Sequence, residues 1–176
     1  MSVNKDINKL SAIKDSALGS LIDRMRSAED TSKAPYTLAE LLQENRRRKP
    51  AGIFSAAEVG KLIIQLVAEN GGQPVSYGEV WSALRPDEPW HMHKSRKEIG
   101  DVLDRLSFYC IRHGMPLIGT LVINKSEKDL TDPAKKNVYA AAKERGMDVG
   151  LDREGFVSQQ QQMARNLAVR QWPEDS

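Results

Sequence analysis

A Ser or Thr followed three residues later by Glu or Gln occurs five times along the chain, and this pattern most limits how the chain can fold. In such a capping box, the two side chains satisfy free backbone N–H groups at the start of a helix. Four of the five pairs lead into apolar residues at helical spacing, so the sequence predicts a mainly α protein. The pairs are Thr37–Glu40, Ser55–Glu58, Ser76–Glu79, Ser95–Glu98 and Ser158–Gln161.

Charge and cysteine content exclude few classes of function. Lys and Arg number 26 and Asp and Glu 24, so the net charge is +2 and only local clusters of charge can indicate a partner. The single cysteine, Cys110, allows neither an internal disulfide nor a zinc site of the usual cysteine type. Residues 1–8 lack the apolar core of a signal peptide, and no apolar run approaches the roughly 18–20 residues that span a bilayer. We therefore expect a cytoplasmic protein with no bound cofactor or metal and no contact with a membrane.

Residues 1–50 are expected to form an N-terminal helical arm that ends in a basic linker. The apolar residues of the first 30 positions fall on one face of a single amphipathic helix, and residues 38–45 predict a second, short helix. Because an isolated helix cannot bury its apolar stripe, we expect the arm to dock on the rest of the chain, on a second copy in a homodimer, or on another protein. Four consecutive cations before Pro50 predict an exposed hinge: Arg46, Arg47, Arg48 and Lys49.

Residues 51–126 predict the central module of the fold. The order is a long helix, a short extended piece, a short helix from Tyr77, a loop with two prolines, a long helix from Ser95, and a strand over residues 117–123. This order is typical of a helix-turn-helix followed by a wing-like strand. The helix that begins at Ser95 would then be the recognition helix.

Residues 127–176 predict C-terminal helices that pack on the central module. Asp132 followed by Pro133 is typical of a helix start, so we expect one helix over residues 133–145. A second helix is expected over residues 158–172, where the last capping box opens another apolar pattern.

A resemblance to a known family appears at the string Pro74-Val75-Ser76-Tyr77-Gly78-Glu79-Val80. It is similar to the start of the winged-helix domain of O6-alkylguanine-DNA alkyltransferases and alkyltransferase-like proteins. That family continues with Arg-Ala-Val-Gly in its recognition helix, to which Lys97-Glu98-Ile99-Gly100 is similar. Lys97 stands where the family has its base-displacing arginine. The resemblance covers roughly 50 of the 176 residues and implies a winged helix that binds duplex DNA.

The chain departs from this family at the reacting residues. Where the family has Pro-x-x-x-Pro-Cys-His-Arg on a strand, this chain has the string Pro116-Leu117-Ile118-Gly119-Thr120-Leu121-Val122-Ile123. That register puts Leu121 at the nucleophilic cysteine and Val122 at the histidine, so alkyl transfer is not expected. Cys110 falls on the predicted buried face of the long helix and is not a displaced nucleophile.

The sequence therefore predicts a non-catalytic protein that binds double-stranded DNA, mostly through its phosphate backbone. The first turn of a recognition helix presents free N–H groups and positive charge to a phosphate. A phenol at the start of the preceding helix can reach a phosphate or stack on a base. Helix-end contacts are expected from Tyr77, Ser95, Arg96 and Lys97, and backbone contacts from Arg46, Arg47, Arg48, Lys49, Lys94 and Lys125.

Three other interpretations stay open at the level of sequence. The basic residues can be ordinary solvated charges at a helix end or on a helix face. The module can also be a protein–protein adaptor or inhibitor, such as one that a phage or mobile element encodes, and an exposed apolar patch would then mark it. An enzyme or a metal site would need a pocket in which His91, His93 and His113 converge.

Overall fold

The computed structural model of the protein shows a mainly α chain with one short two-stranded parallel sheet. The residues that it describes are 9–49, 52–167 and 169–173. No helix in this part of the chain is long and apolar enough to cross a membrane. The chain divides into two compact units, the first of Met1–Pro50 with Ala142–Asp148 and the second of Ala51–Ala141 with Val149–Ser176.

The first unit is built on two helices with their own small core. Helix α1 (Asp15–Ser27) packs against helix α2 (Leu38–Arg48). The single helix predicted over the first 30 residues is wrong, because the chain turns at residues 12–14 before α1 begins; residues 1–8 lie outside the described part. Because the apolar stripe is covered within the unit, no second copy is needed to bury it, and the homodimer stays a prediction. The buried residues are Leu10, Leu18, Ile22 and Leu41.

Arg48 is a structural residue rather than part of an exposed basic hinge. The predicted hinge forms the last turn of α2, and the Arg48 side chain is only 16% exposed. Its guanidinium donates to the carbonyl oxygens of Leu10 (3.0 Å) and Ile13 (2.5 Å), at the turn that precedes α1. It also donates to the Glu44 carboxylate (2.7 Å). Carbonyl groups at a turn need donors, and Arg48 supplies them in place of water.

Acid is expected to unfold the first unit through Glu44. The hydrogen bond from Arg47, and after it that from Arg48, lower the pKa of the buried Glu44 carboxyl from 4.5 to about 2. A carboxyl whose pKa is lower in the folded state contributes stability above its unfolded pKa and loses it as the pH falls through the folded value. We expect hydrogen-exchange protection of α1 and α2 to fall between pH 4.5 and about 2. The Glu44→Gln variant should lose protection less steeply over this range, and equal pH dependence in the two proteins would contradict this role.

The second unit contains the module predicted over residues 51–126, and the predicted order of elements is present. The side chains buried most completely include Val59, Ile63, Trp81, Ile99 and Leu106. They form the core of this unit. Its helices are α3 (Ala56–Glu69), α4 (Tyr77–Leu84), α5 (Met92–Arg112) and α7 (Arg153–Asn166), and helix α6 (Asp132–Glu144) also begins in it, although the residues of α6 from Ala142 onward belong to the first unit.

The strand predicted over residues 117–123 is mostly wrong. Ile118–Leu121 forms a 3-10 turn, and only Val122–Ile123 is extended as β2. This strand pairs in parallel with β1 (Val75–Ser76), and Ser76 lies opposite Ile123. Both strands are buried, so β2 does not project from the surface as a wing. Since parallel strands end at the same edge of a sheet, the residues that follow β1 and β2 lie side by side.

The capping boxes mark the helix starts at three of the five positions. Thr37–Glu40 and Ser76–Glu79 form complete boxes, and Ser55 accepts from the Glu58 N–H. The prediction for Ser95 is wrong: α5 begins one turn earlier at Met92, and the buried Ser95 hydroxyl accepts from the His91 N–H at 2.9 Å. The prediction for Ser158 is also wrong, because Asp152 caps α7 and the helix ends at Asn166 rather than Trp172.

Gly60 on α3 is expected to be essential for the docking of Trp172. A methyl group at Gly60 would overlap the Trp172 ring, which stacks on Tyr109 at 5.8 Å and donates to the Tyr109 hydroxyl at 3.1 Å. We expect Gly60→Ala to lower the free energy of unfolding by about 1–3 kcal/mol, as overpacking does. Urea denaturation measures this change.

The matched control is Gly100→Ala on α5, because nothing lies within 4 Å of a Cβ built at Gly100. That variant should be more stable than the wild type by about 0.5–1 kcal/mol, since alanine favours a helix. A Gly60→Ala protein as stable as the wild type would show that Trp172 does not occupy this site.

Candidate nucleic-acid interface

A cleft of about 1290 Å³ opens where β1 and β2 end. Its walls come from α3, the start of α4, the start of α5 and the loop that follows β2. The parallel register brings Tyr77, the first residue of α4, beside Asn124 and Lys125 of that loop. Arg96 lines the cleft from α5. Three residues that the sequence predicted separately, Tyr77, Arg96 and Lys125, therefore meet at one site.

An aromatic cluster holds the wall that the loop before α5 contributes. Trp81 is fully buried and meets Trp90 edge to face, with ring centroids 6.2 Å apart. On its other side it meets Phe54 at 6.3 Å. The Trp81 indole N–H donates to the Glu88 carbonyl oxygen at 3.0 Å, and Arg85 pairs with the Glu88 carboxylate at 3.0 Å. These contacts fix the chain from residue 85 to residue 90 and place Trp90 in the cleft wall.

The start of α5 carries three cations, and within the described residues only Lys94 has a carboxylate at ion-pair distance, whereas Glu69 and Glu79 line the same cleft as Arg96. Its first turn has no acidic residue, and its N-cap His91 makes no side-chain capping hydrogen bond. Arg96 and Lys97 are exposed, and neither forms an ion pair within the described residues. Lys94 is 65% exposed, with its ammonium 4.0 Å from the Glu88 carboxylate. Cations at a helix N-terminus oppose the helix dipole, so they do not stabilise α5 and are available to an anion.

Two of the predicted contact residues cannot reach a ligand. Ser95 is fully buried, because it faces the core one turn inside α5. The Arg48 guanidinium donates to the carbonyl oxygens of the turn before α1 and to the carboxylates of Glu44 and Asp15. Arg47 remains exposed on the first unit, where it pairs with Glu44 at 2.7 Å. Lys49 is exposed at the end of α2, and Arg46 is partly buried in its last turn.

Sequence reasoning missed the apolar part of the site. Trp90 and Met92 are not among the predicted contact residues, yet both line the cleft, and Met92 is 65% exposed. The available signal was two large apolar side chains in an otherwise polar segment that directly follows Pro86 and Pro89. This signal in the sequence does not show that Trp90 and Met92 share one surface. Nor does it show that Tyr77 lines the same cleft.

The interpretation in which His91, His93 and His113 converge on one enzyme or metal site is wrong. His91 and His93 lie at the start of α5 and His113 follows its end, and a helix of 21 residues is about 30 Å long. Within the described residues, no group of three or more His, Cys, Asp or Glu side chains could hold a metal ion. The three histidines therefore do not converge on one pocket.

No protein-family model matches the chain, and neither a curated protein nor a solved structure shows a significant match.

Proposed function

We propose that the protein binds double-stranded DNA without modifying it, through a helix-turn-helix-like module centred on α4 and α5, in which the buried β2 does not act as a wing. The observation that carries this proposal is the pair of exposed cations near the start of α5, Arg96 and Lys97, which form no ion pair within the described residues, with Arg96 lining the same cleft as Tyr77 and Lys125. Free N–H groups at a helix start and nearby cations together suit a phosphate group. DNA presents such groups at regular spacing, and phosphate contacts supply most of the affinity in this kind of binding.

The residues that stand where the alkyltransferase family has its reacting residues support a non-catalytic role. Leu121, at the position of the family's nucleophile, is fully buried, and so is the neighbouring Val122. Burial raises the pKa of the Cys110 thiol to about 11, so this group stays protonated and inaccessible. Neither position offers an acceptor for an alkyl group. Binding without transfer is the activity that the remaining features favour.

The proposed interface has a defined set of contacts. Tyr77, Arg96 and Lys125 contact the duplex from the cleft, and Lys94 and Lys97 contact it from the first two turns of α5. Arg46, Arg47 and Lys49 belong to the first unit and are proposed, separately from this interface, as phosphate contacts of that unit. Ser95 and Arg48 are left out because their side chains are used inside the protein.

Hydrogen exchange with and without a random DNA duplex tests the proposed interface. Bound DNA should protect the amides of residues 92–97 and 124–126. Residues 153–166, which form α7, serve as the internal control and should not change. Protection confined to α7, or none at a duplex concentration that saturates binding, would overturn the proposal.

One observation favours an adaptor as the second candidate function. Met92 is 65% exposed beside Trp90, on the same face as Arg96. Apolar side chains that lie together at the surface of a cleft, as Met92 and Trp90 do, are typical of a site for another protein. Met92→Ser would weaken such a complex, whereas it would leave the salt-dependent affinity for DNA unchanged if the phosphate contacts carry the binding.

A further inference from the structure

The loop that bears Lys125 projects from the protein with little packing of its own. Residues 124–129 are all exposed, so burial of apolar side chains does not hold them. One internal hydrogen bond, from the Glu127 N–H to the Asn124 carbonyl oxygen at 3.0 Å, closes a turn in this loop. The position of Lys125 at the cleft therefore depends on how the two ends of the loop are held.

A single buried amide bonds to the segments on both sides of the loop. Gln161 on α7 is 5% exposed, and its side-chain nitrogen donates to the Thr120 carbonyl oxygen (3.2 Å), just before β2. The same nitrogen donates to the Asp129 carboxylate (2.9 Å), at the far end of the loop. Gln161 thus joins the segment that enters the loop to the segment that leaves it.

Asp129 is held from a second direction as well. Its other carboxylate oxygen lies 3.1 Å from the Lys135 ammonium, which also pairs with Glu154 at 3.1 Å. The Leu130 N–H donates to the Asp129 carboxylate at 2.7 Å. Two helices, α6 and α7, therefore fix the end of the loop four residues after Lys125.

We infer that Gln161 and Asp129 are positioning residues, which hold Lys125 where it contacts a phosphate of bound DNA. This inference rests on the proposed function. It assigns a role in binding to two residues that lie outside the cleft and touch no DNA. The Gln161 amide is buried and hydrogen-bonded, so its position is well defined. Because one nitrogen atom donates both hydrogen bonds, the amide fixes the positions of Thr120 and Asp129 relative to each other.

A double-mutant cycle tests the inference, with the salt dependence of duplex binding as the readout. In the wild type, Lys125→Ala should reduce the slope of log affinity against log salt concentration by about 1, as the loss of one phosphate contact does. In a Gln161→Leu protein, Lys125→Ala should change the slope by clearly less than 1, because the loop is then held only through Asp129 and Lys135 and Lys125 is placed less firmly at the phosphate. Gln160→Leu is the matched control, since Gln160 is a buried neighbour that bonds to the Leu117 N–H and not to the loop. In that background, Lys125→Ala should again lower the slope by about 1.

The same cycle with Asp129→Ala covers the case in which Gln161→Leu fails to fold, because the Asp129 side chain is half exposed. If the slope still falls by about 1 with Lys125→Ala in both loop-end variants, Gln161 and Asp129 do not position Lys125, although the protein binds DNA. A wild-type protein that fails to bind the duplex overturns the proposed function and this inference with it. The two failures are therefore distinct.

Discussion

Trp81→Ala lowers the free energy of unfolding of the second unit by about 3–5 kcal/mol, the usual cost of removing a buried aromatic side chain. Trp81 is fully buried, and its ring lies between those of Phe54 and Trp90. Its loss leaves a cavity, and it also removes the donor to the Glu88 carbonyl oxygen, which holds the loop before α5. Urea denaturation followed by circular dichroism measures the change.

The matched control is Trp90→Ala, which removes the same kind of side chain from a partly exposed position. That variant should be destabilised much less, because less apolar area is taken from the core. An equal loss in the free energy of unfolding of the two variants would show that the aromatic cluster of Phe54, Trp81 and Trp90 is not organised around Trp81. A Trp81→Ala protein that unfolds at the urea concentration of the wild type would contradict the placement of this side chain in the core.

Replacing Arg96 and Lys97 together by Ala is expected to weaken DNA binding without lowering the melting temperature. Both side chains are exposed on the first two turns of α5, and neither forms an ion pair within the described residues, so the fold does not depend on them. Loss of two phosphate contacts should reduce the slope of log affinity against log salt concentration by about 2. Fluorescence anisotropy of a labelled duplex at several salt concentrations measures the slope.

A control for net charge is a second double variant, Lys136→Ala with Arg165→Ala. These two residues are also exposed, on α6 and α7, and do not line the cleft. Their removal should leave the slope nearly unchanged. If the slope of log affinity against log salt concentration falls by the same amount in the two double variants, binding responds to the overall charge of the protein and not to the start of α5.

Local signals in the sequence were enough to predict the order of the elements. Thr37 and Ser76 each hydrogen-bond within four residues of themselves, so the residues that decide the helix start stand next to it. The same motif failed at Ser95, because burial turns its hydroxyl back to the His91 N–H inside a helix that has already begun. A motif of two polar residues does not reveal which of them faces the core.

The errors that matter for function have long-range causes. In the sequence, Arg48 resembles a solvated cation. In the folded chain it donates to the carbonyl oxygens of Leu10 and Ile13, which lie more than 30 residues earlier in the chain. The cleft likewise depends on the pairing of Ser76 with Ile123, and no local pattern specifies this register. The sequence therefore predicted individual residues of the candidate site, whereas only the folded chain brings them together.

The most direct test of the central claim is the anisotropy of a labelled random DNA duplex titrated with the wild-type protein at low and moderate salt. We expect binding in the micromolar range or tighter that weakens steeply as salt is added, because each phosphate contact releases a counterion. The slope then counts all the phosphate contacts that the protein makes. An anisotropy that does not change even at low salt would contradict the account, and the cleft would then have to be tested with protein partners.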